Sequence, residues 1–307
     1  MIRKHTRRAA KAAFAISFGV AIVLGGLAGT ARPATKATPT IIIGTKNFPE
    51  EFILGELYKQ ALEAKGFTVS YKENIGSTEV IQTALTSGKI NMYPEYTGVI
   101  VQDVFHHTTS PTTAAATYAL AKQLEASKGF TVLKPTPFYD TDVLAVTKAT
   151  AQKYDLKTIS DLKKVGAFKL GGFPECQTRS TCFLGYTKQY GLTNATFASV
   201  GSVSQYAALD SGSVLAADVF STDPSLAPPS KYVVLSDPKH ITGFQNVVPI
   251  VKTSVAQAAG SSFTSTVNGV SSKLTLPAIA AMNKAVIVDK KSAASVATAF
   301  LKANNLD

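Results

Sequence analysis

The sequence predicts an α/β fold with two lobes, and three observations lead to this prediction. Short apolar segments typical of buried strands alternate with helical segments between residues 41 and 93. The same alternation resumes between residues 143 and 251. The chain has 307 residues and is 45% apolar, so it can bury a substantial core. Two α/β lobes fit this length better than one.

The first half of the chain predicts the series strand, helix, strand, helix, strand. Pro49 suits a first helical turn, apolar residues then recur at helical spacing as far as Leu62, and Gly66 ends the run. Two further strands and one helix follow at short spacing. Strands are predicted at residues 41–44, 67–75 and 90–93, and helices at residues 49–62 and 76–85.

The second half predicts a further sheet, and its last segment predicts helix. The tail at residues 276–304 is rich in Ala and has a helical pattern. Helical segments are also predicted at residues 160–165 and 204–210. The strand candidates are residues 143–147, 169–173, 197–200, 216–220, 232–235 and 247–251.

The N-terminus predicts an export signal at residues 1–31. Basic residues precede an uncharged apolar stretch at residues 12–28, and small residues follow it. The alternative is a retained membrane anchor, because such a stretch is at the lower length limit for spanning a bilayer. Residues 32–40 are rich in Pro, Thr and Ala and predict a flexible tether.

Charge and motifs argue against two other function classes. The formal net charge is +11, but without the five basic residues of the signal the chain has 26 Lys and Arg against 20 acidic residues. These charges are scattered, so we expect no nucleic-acid partner. The sequence has no HExxH, GxxxxGK[ST] or GxSxG motif, and adjacent His106 and His107 have no third ligand at useful spacing. We therefore expect no enzymatic activity, catalytic residue, metal or cofactor.

The predicted strand ends carry polar, aromatic and glycine-rich segments. Ligands of α/β sheets lie outside the carboxyl ends of the strands, so these segments predict a binding cleft. They are residues 44–46, 93–97, 171–173 and 220–223.

Four segments resemble the substrate-binding proteins of glycine betaine/carnitine/choline ABC transporters. They are residues 44–48 (GTKNF), 76–80 (GSTEV), 93–98 (YPEYTG) and 220–223 (FSTD), in the order of that family and at about its spacing. The resemblance covers roughly residues 40 to 305. It implies a periplasmic-binding-protein fold of type II whose lobes close on a ligand. It also implies an exported, monomeric protein that delivers a quaternary-ammonium compound to a permease.

The lobe boundaries that we expect follow from the same resemblance. Lobe 1 is predicted to comprise residues 41–143 and 248–307, and lobe 2 residues 144–247. The chain crossings near residues 143–146 and 247–249 are predicted to form the hinge.

The chemistry of such a ligand predicts the roles of several residues. A trimethylammonium group has no N–H to donate and is held by aromatic faces, whereas a carboxylate is bound by Lys, Arg or backbone N–H groups. The resemblance implies that Lys46 and Arg179 bind a carboxylate. It implies that Tyr93 or Tyr96 is one aromatic wall, without deciding between them, and that Thr97 is a hydrogen-bonding neighbour. It aligns Phe220 and Phe244 with further walls; ordinary core positions are the alternative.

Acidic residues mark the clearest departure from the family pattern. Relatives carry Asn or Asp, one residue and then a Tyr where this chain has Asp140 and Asp142, and Glu51 replaces what is often Gln. The added acids suggest a ligand that is more cationic, or richer in hydrogen-bond donors, than glycine betaine. Choline, a carnitine-like compound or the betaine ergothioneine would fit. The alternative is that Tyr139 supplies the missing wall.

The only two cysteines, Cys176 and Cys182, predict a short disulfide-closed loop in an exported chain. Two free thiols are the alternative. The loop contains Arg179, and a disulfide would restrict its conformations.

If the ligand were an amino acid instead, Asp142 and Arg179 could clamp its ammonium and carboxylate groups. A ligand-sensing module of a receptor or of a fused permease is a further alternative.

Overall fold

The computed structural model describes residues 38–107, 111–201 and 205–307. The predicted export signal and residues 32–37 of the predicted tether lie outside the described residues. No helix in the described ranges is long and apolar enough to cross a membrane.

The strands and helices are named in chain order. The strands of the described ranges are β1 (Ile41–Lys46), β2 (Val69–Gly76), β3 (Met92–Tyr96), β4 (Phe130–Val132), β5 (Asp142–Thr147), β6 (Phe168–Gly172), β7 (Ala195–Ser199), β8 (Ala216–Phe220), β9 (Tyr232–Val234) and β10 (Val247–Lys252). The helices are α1 (Pro49–Ala64), α2 (Thr78–Thr86), α3 (Thr97–Val99, continued by a π-helical turn Ile100–Val104), α4 (Ala114–Ala126), α5 (Lys148–Tyr154), α6 (Phe183–Gln189), α7 (Gln205–Asp210), α8 (Thr253–Lys273), α9 (Leu276–Ile287) and α10 (Ala293–Ala303).

The strands form two mixed five-stranded sheets. The first has the order β2-β1-β3-β10-β4 and the second the order β7-β6-β8-β5-β9. In each sheet three neighbouring strands are parallel, and a strand from a distant part of the chain pairs antiparallel with them. The predicted α/β fold with two lobes is confirmed.

Helices cover both faces of the first sheet. Ile53 and Leu57 of α1 and Phe263 of α8 pack on one face. Ile81 of α2 and Tyr93 of β3 belong to the apolar cluster on the other face. Burial of each apolar side chain of this size contributes about 1.5–3 kcal/mol to the free energy of folding. The packed helices therefore hold the strand ends in place.

Most predicted elements agree with the structure, and the differences have local causes. The helix predicted at residues 160–165 is a 3₁₀ helix, Ile159–Lys164. The short helices α5 and α6 were not predicted. Helices α4 and α8 were also not predicted, because Ala, Ser and Thr at many of their positions leave a weak apolar pattern. The predicted tail helix is two helices, α9 and α10, separated at residues 288–292.

Two segments carry the chain between the sheets. The segment after β4 leads to β5, and the segment after β9 returns to β10. They pair with each other through an isolated bridge between Tyr139 and Asn246, and the Asp140 N–H donates to the Gln245 carbonyl at 3.2 Å. Residues 143–146 and 247–249, the predicted hinge, lie inside strands beside these crossings. The predicted lobe boundaries stay predictions.

Candidate functional site

The carboxyl ends of parallel strands from both sheets meet at one cavity. Lys46 ends β1, Tyr96 ends β3 and Phe220 ends β8, and all three line it. The cavity has a volume of about 50 Å³. The fold therefore brings together groups that are far apart in the sequence, as expected for a site at the strand ends.

Four aromatic rings, two from each side of the cleft, form what we call the aromatic cage: Phe48, Tyr96, Phe173 and Phe220. The Phe48 ring stacks on Phe220 with centroids 5.3 Å apart, and it lies 6.3 Å from Tyr96. Phe220 in turn lies 6.0 Å from Phe173. The stack of Phe48 on Phe220 crosses the cleft, so the cage exists only when the two sides are close together.

The ammonium group of Lys46 lies inside this cage. Its Nζ is 4.3 Å from the centroid of the Tyr96 ring and 5.4 Å from that of Phe48. A cation within about 6 Å of a ring centroid is attracted by the negative face of the ring. The cage can therefore hold a positive charge, and in this structure it holds that of a lysine.

Two buried glutamates surround the Lys46 ammonium. Glu95 accepts a hydrogen bond from Lys46 Nζ and others from the Tyr96 N–H at 2.8 Å and the Thr78 hydroxyl at 3.2 Å. Glu51 Oε2 accepts from the Lys46 N–H at 3.1 Å, and its Oε1 lies 3.9 Å from Nζ. Burial raises the pKa of Glu51 to about 8, and the charge of Lys46 opposes that rise.

Arg179 reaches across the cleft to the opposite side. Its guanidinium donates to the carboxylate of Glu79 on α2, with distances of 3.0 Å from Nη2 and 3.3 Å from Nε. The loop that carries Arg179 is closed by the Cys176–Cys182 disulfide, which confirms that prediction. The ion pair joins the two sides of the cleft, and the disulfide limits how far Arg179 can move.

Asp142 contributes a carboxylate without a direct partner. It lines the cavity at the start of β5, opposite Phe220, and makes no side-chain hydrogen bond or ion pair with the described residues. Burial raises the pKa of Asp142 to about 6, and the charges of Arg179 and Lys46 oppose that rise. Asp142 is therefore mostly ionised at pH 7.

A buried polar network lies beside the cage. Glu50 accepts hydrogen bonds from the Tyr96 hydroxyl at 2.9 Å, the Thr222 hydroxyl at 2.7 Å and Asn283 at 2.8 Å. Asp140 lines the cavity and accepts from the Thr222 N–H at 3.0 Å. Burial raises the pKa of both acids, and the charge of Glu50 raises that of Asp140 further. The network fixes the orientation of the Tyr96 ring.

Several predicted site residues lie away from the cavity. Tyr93 is fully buried in the core and donates to Gln82 at 2.8 Å, so Tyr96 is the tyrosine that faces the cavity. Thr97 donates to the Phe244 carbonyl at 2.8 Å and supports the chain crossing. Phe244 lines two other pockets beside the crossing. Glu51 is buried behind Lys46.

Tyr139 does not supply the missing wall. Its side chain is 57% exposed and faces a separate pocket beside Phe244. Asp142 stands where relatives have a tyrosine, and no other tyrosine among the described residues replaces that wall of the cavity.

Sequence reasoning missed important cavity residues. Phe48 and Phe173 belong to segments recognised at strand ends, yet no role was given to their rings. Glu95 stands between the two tyrosines of the 93–98 segment, and Glu79 opens α2. Both acids lie inside segments that carry the family resemblance, 93–98 and 76–80, and that position was the available signal.

The described residues bring one group of potential metal ligands together. It consists of Cys176, Cys182 and Asp218. Because both sulfurs are joined in the disulfide, this group is unsuited to holding a metal ion.

The fold and the cavity define a two-lobed α/β binding protein whose ligand site lies between the lobes. Comparisons with known proteins then give the family. Residues 39–303 match the family described as "Substrate binding domain of ABC-type glycine betaine transport system". The chain belongs to this family of ABC-transporter binding proteins, which are not enzymes.

Individual proteins agree with this assignment. The chain is 29% identical over 279 residues to a glycine-betaine-binding protein of Pseudomonas aeruginosa, covering 87% of this chain and 88% of that one. It is 27% identical over 224 residues to the "Ergothioneine transport permease/ergothioneine binding protein EgtU" of Helicobacter pylori, covering 72% of this chain and 40% of that protein. A crystal structure described as a "glycine betaine/carnitine/choline ABC transporter" superposes with a TM-score of 0.68 at 23% identity, covering 87% of this chain and 99% of that one, which shows the fold.

Proposed function

We propose that this protein captures a quaternary-ammonium compound between its lobes, with the ammonium group against the aromatic cage, and delivers it to an ABC-transporter permease. The observation that carries the proposal is the cage itself. Rings from both sides of the cleft line one cavity, and the Lys46 ammonium lies 4.3 Å from the centroid of the Tyr96 ring. Cation–π attraction of about 0.5–2 kcal/mol for each ring favours an ammonium there.

The charges of the cavity favour a ligand with a net positive charge. Each of the two cationic side chains already has an acidic partner: Lys46 has Glu95 and Arg179 has Glu79. Asp142 adds a carboxylate that is mostly ionised at pH 7, because its pKa is about 6. The surplus charge is therefore negative. A cationic alcohol such as choline suits this balance better than a zwitterionic betaine.

The ligand must also separate the rings of the cage. Phe48 and Phe220 stack at 5.3 Å, which leaves no room for a trimethylammonium group between them. We infer that the lobes open, and that closure on the ligand places its ammonium group between Phe48 and Phe220 and against the face of Tyr96. Ligand shifts the population toward closure only through its better contacts in that state.

Two other ligands follow from specific observations. Ergothioneine is a betaine with an imidazole ring, and the Helicobacter pylori relative is named for binding it. An amino acid could place its ammonium at Asp142 and its carboxylate at Arg179, although Arg179 would then have to leave Glu79.

Isothermal titration calorimetry of the mature chain, residues 32–307, tests the proposal. The ligands are choline, glycine betaine, carnitine, ergothioneine and 3,3-dimethylbutan-1-ol, the neutral analogue of choline, with a set of amino acids for comparison. Micromolar binding of choline, with at least about tenfold weaker binding of the neutral analogue, supports the cation cage. Binding of amino acids alone would contradict it.

The remaining parts of the proposal concern the setting of the protein. We infer that it is exported, works as a monomer and has no nucleic-acid partner. The scattered charges of the sequence support the absence of a nucleic-acid partner, and the family's transport role supports export. The monomer is what the family resemblance implies. Light scattering of the purified chain tests the monomer.

A further inference from the structure

Lys46 occupies the same ring face that the proposed function gives to the ligand. Its Nζ lies 4.3 Å from the Tyr96 centroid, a typical distance for a bound ammonium. Two cations cannot share one ring face at this distance, because they repel each other and their volumes overlap. A ligand ammonium that reaches Tyr96 must therefore move the lysine.

A second position for the lysine lies next to the first. Glu51 Oε1 is fully buried, accepts no hydrogen bond from the described residues and lies 3.9 Å from Lys46 Nζ. A buried carboxylate oxygen without a partner is unfavourable. A shift of Nζ by at least about 1 Å toward this oxygen is needed to reach hydrogen-bonding distance. A longer movement around the Glu51 carboxylate takes the ammonium off the Tyr96 ring.

The second position keeps the charges balanced. Glu95 and Glu51 are both fully buried, and the charge of Glu95 raises the pKa of Glu51, so the two carboxylates are neighbours. The ammonium can therefore move toward Glu51 and remain close to Glu95. Burial raises the pKa of Glu51, and a closer ammonium opposes that rise, so the move favours the ionised carboxylate.

We propose that Lys46 is a movable internal cation: it covers the Tyr96 ring until a ligand ammonium takes that place, and it then moves to Glu51. This inference rests on the proposed function and assigns two roles within it. Lys46 determines specificity, because it competes with every cation that binds. Glu51 is a positioning residue, because it receives the displaced lysine without touching the ligand.

Removing the competitor without changing the net charge tests the first role. In Lys46→Met/Glu95→Gln both members of the pair become neutral. We expect choline to bind about 2- to 30-fold more tightly, because it no longer displaces an ammonium that cation–π attraction holds on the ring. The matched control is Lys59→Met/Glu56→Gln, in which a lysine 5.7 Å from the Tyr71 ring and 3.2 Å from Glu56 is removed outside the cavity. The control is expected to leave the affinity unchanged.

Nuclear magnetic resonance follows the movement of the lysine directly in the native chain. Lysine labelled with ¹³C at Cε gives one signal for each lysine, and the spectrum of Lys46→Met identifies that of Lys46. Because Lys46 Nζ lies over the Tyr96 ring, we expect the neighbouring Cε signal to be shifted upfield in the free protein and to move downfield when choline is added. Glu51→Gln is expected to keep the upfield signal of the free protein and to weaken choline binding by up to about tenfold.

The outcomes separate this inference from the proposed function. If no quaternary-ammonium compound binds the native chain, the proposed function fails. If choline binds the native chain but the Lys46 signal does not move, the inference is wrong and the function stands. The inference also fails if Lys46→Met/Glu95→Gln binds choline no more tightly than the native chain does. It fails as well if the only effect of this double variant is weaker binding of glycine betaine, since Lys46 would then bind the carboxylate of the ligand.

Discussion

The strength of cation binding should depend on pH through Asp142. Its carboxylate lines the cavity without a direct partner, and burial raises its pKa from 3.8 to about 6. A bound cation stabilises the ionised form, so binding lowers this pKa and affinity rises with pH until Asp142 is fully ionised. At pH 5 only about one tenth of the free protein has an ionised Asp142, whereas at pH 7.5 nearly all of it does. If the cation binds only the ionised form, the dissociation constant of choline is about tenfold higher at pH 5.

The assay is calorimetric titration of choline at pH 5, 6, 7 and 7.5, for the native chain and for Asp142→Asn. Other acids near the cavity also have raised pKa values, among them Glu51 and Asp103. They titrate in both proteins, so the difference between the two profiles isolates Asp142. Binding of 3,3-dimethylbutan-1-ol should show no such difference. Identical pH profiles for the native chain and the variant would refute the reasoning.

Three further predictions concern one ring, one buried acid and the disulfide. Phe220→Leu should weaken choline binding by about 2- to 30-fold in calorimetry, whereas Phe183→Leu, whose ring packs on Phe197 away from the cavity, should not; equal losses would contradict a cage. Both carboxylate oxygens of Glu125 are buried with no hydrogen bond from the described residues, and burial raises its pKa to about 7. The folded protein therefore favours the protonated Glu125, and the free energy of unfolding falls as the pH rises from about 4.5 through 7. Measured by urea unfolding, Glu125 should account for at most about 3 kcal/mol of the fall between pH 5 and pH 8, and Glu125→Gln should remove this part. An equal fall in the native chain and the variant would contradict this. Cys176→Ser/Cys182→Ser should lower the free energy of unfolding by about 2 kcal/mol in the same assay, because the short loop gains freedom in the unfolded chain; addition of reductant to the native chain is the control and should have the same effect.

The fold could be predicted from the sequence because its signals are local. Strands such as β1 and β8 are short apolar runs. Helix α1, which follows β1, begins at Pro49 and is followed by Gly66, and both residues are recognisable in the sequence. Helices α4 and α8 were missed for the opposite reason, since small residues leave little periodicity and the tertiary contacts of Phe263 hold α8 in place. The disulfide was predictable because the chain offers a single possible pair.

The site was only partly predictable because its geometry depends on side-chain directions. Tyr93 and Tyr96 stand on opposite faces of the sheet, and the sequence does not tell which face meets the cleft. The position of Phe244 depends on the chain crossing, where no periodicity applies. Phe48 and Phe173 become cage residues only because two sheets meet, and no local pattern reports that contact.

The ring contacts and the charges of the cavity do not contribute equally to ligand selection. A ligand that separates Phe48 from Phe220 loses a stacking interaction of about 0.5–1.5 kcal/mol and gains about 0.5–2 kcal/mol for each ring that it contacts. The net gain is therefore smaller than the sum of the two cation–π interactions, so the effect of Phe220→Leu should fall toward the lower end of its range. An ionised carboxylate near a desolvated ammonium has no such offset, because Asp142 has no hydrogen-bonding partner to give up among the described residues. The rings then set where an ammonium lies, and the carboxylate sets how strongly a cation is preferred over a neutral molecule of the same shape.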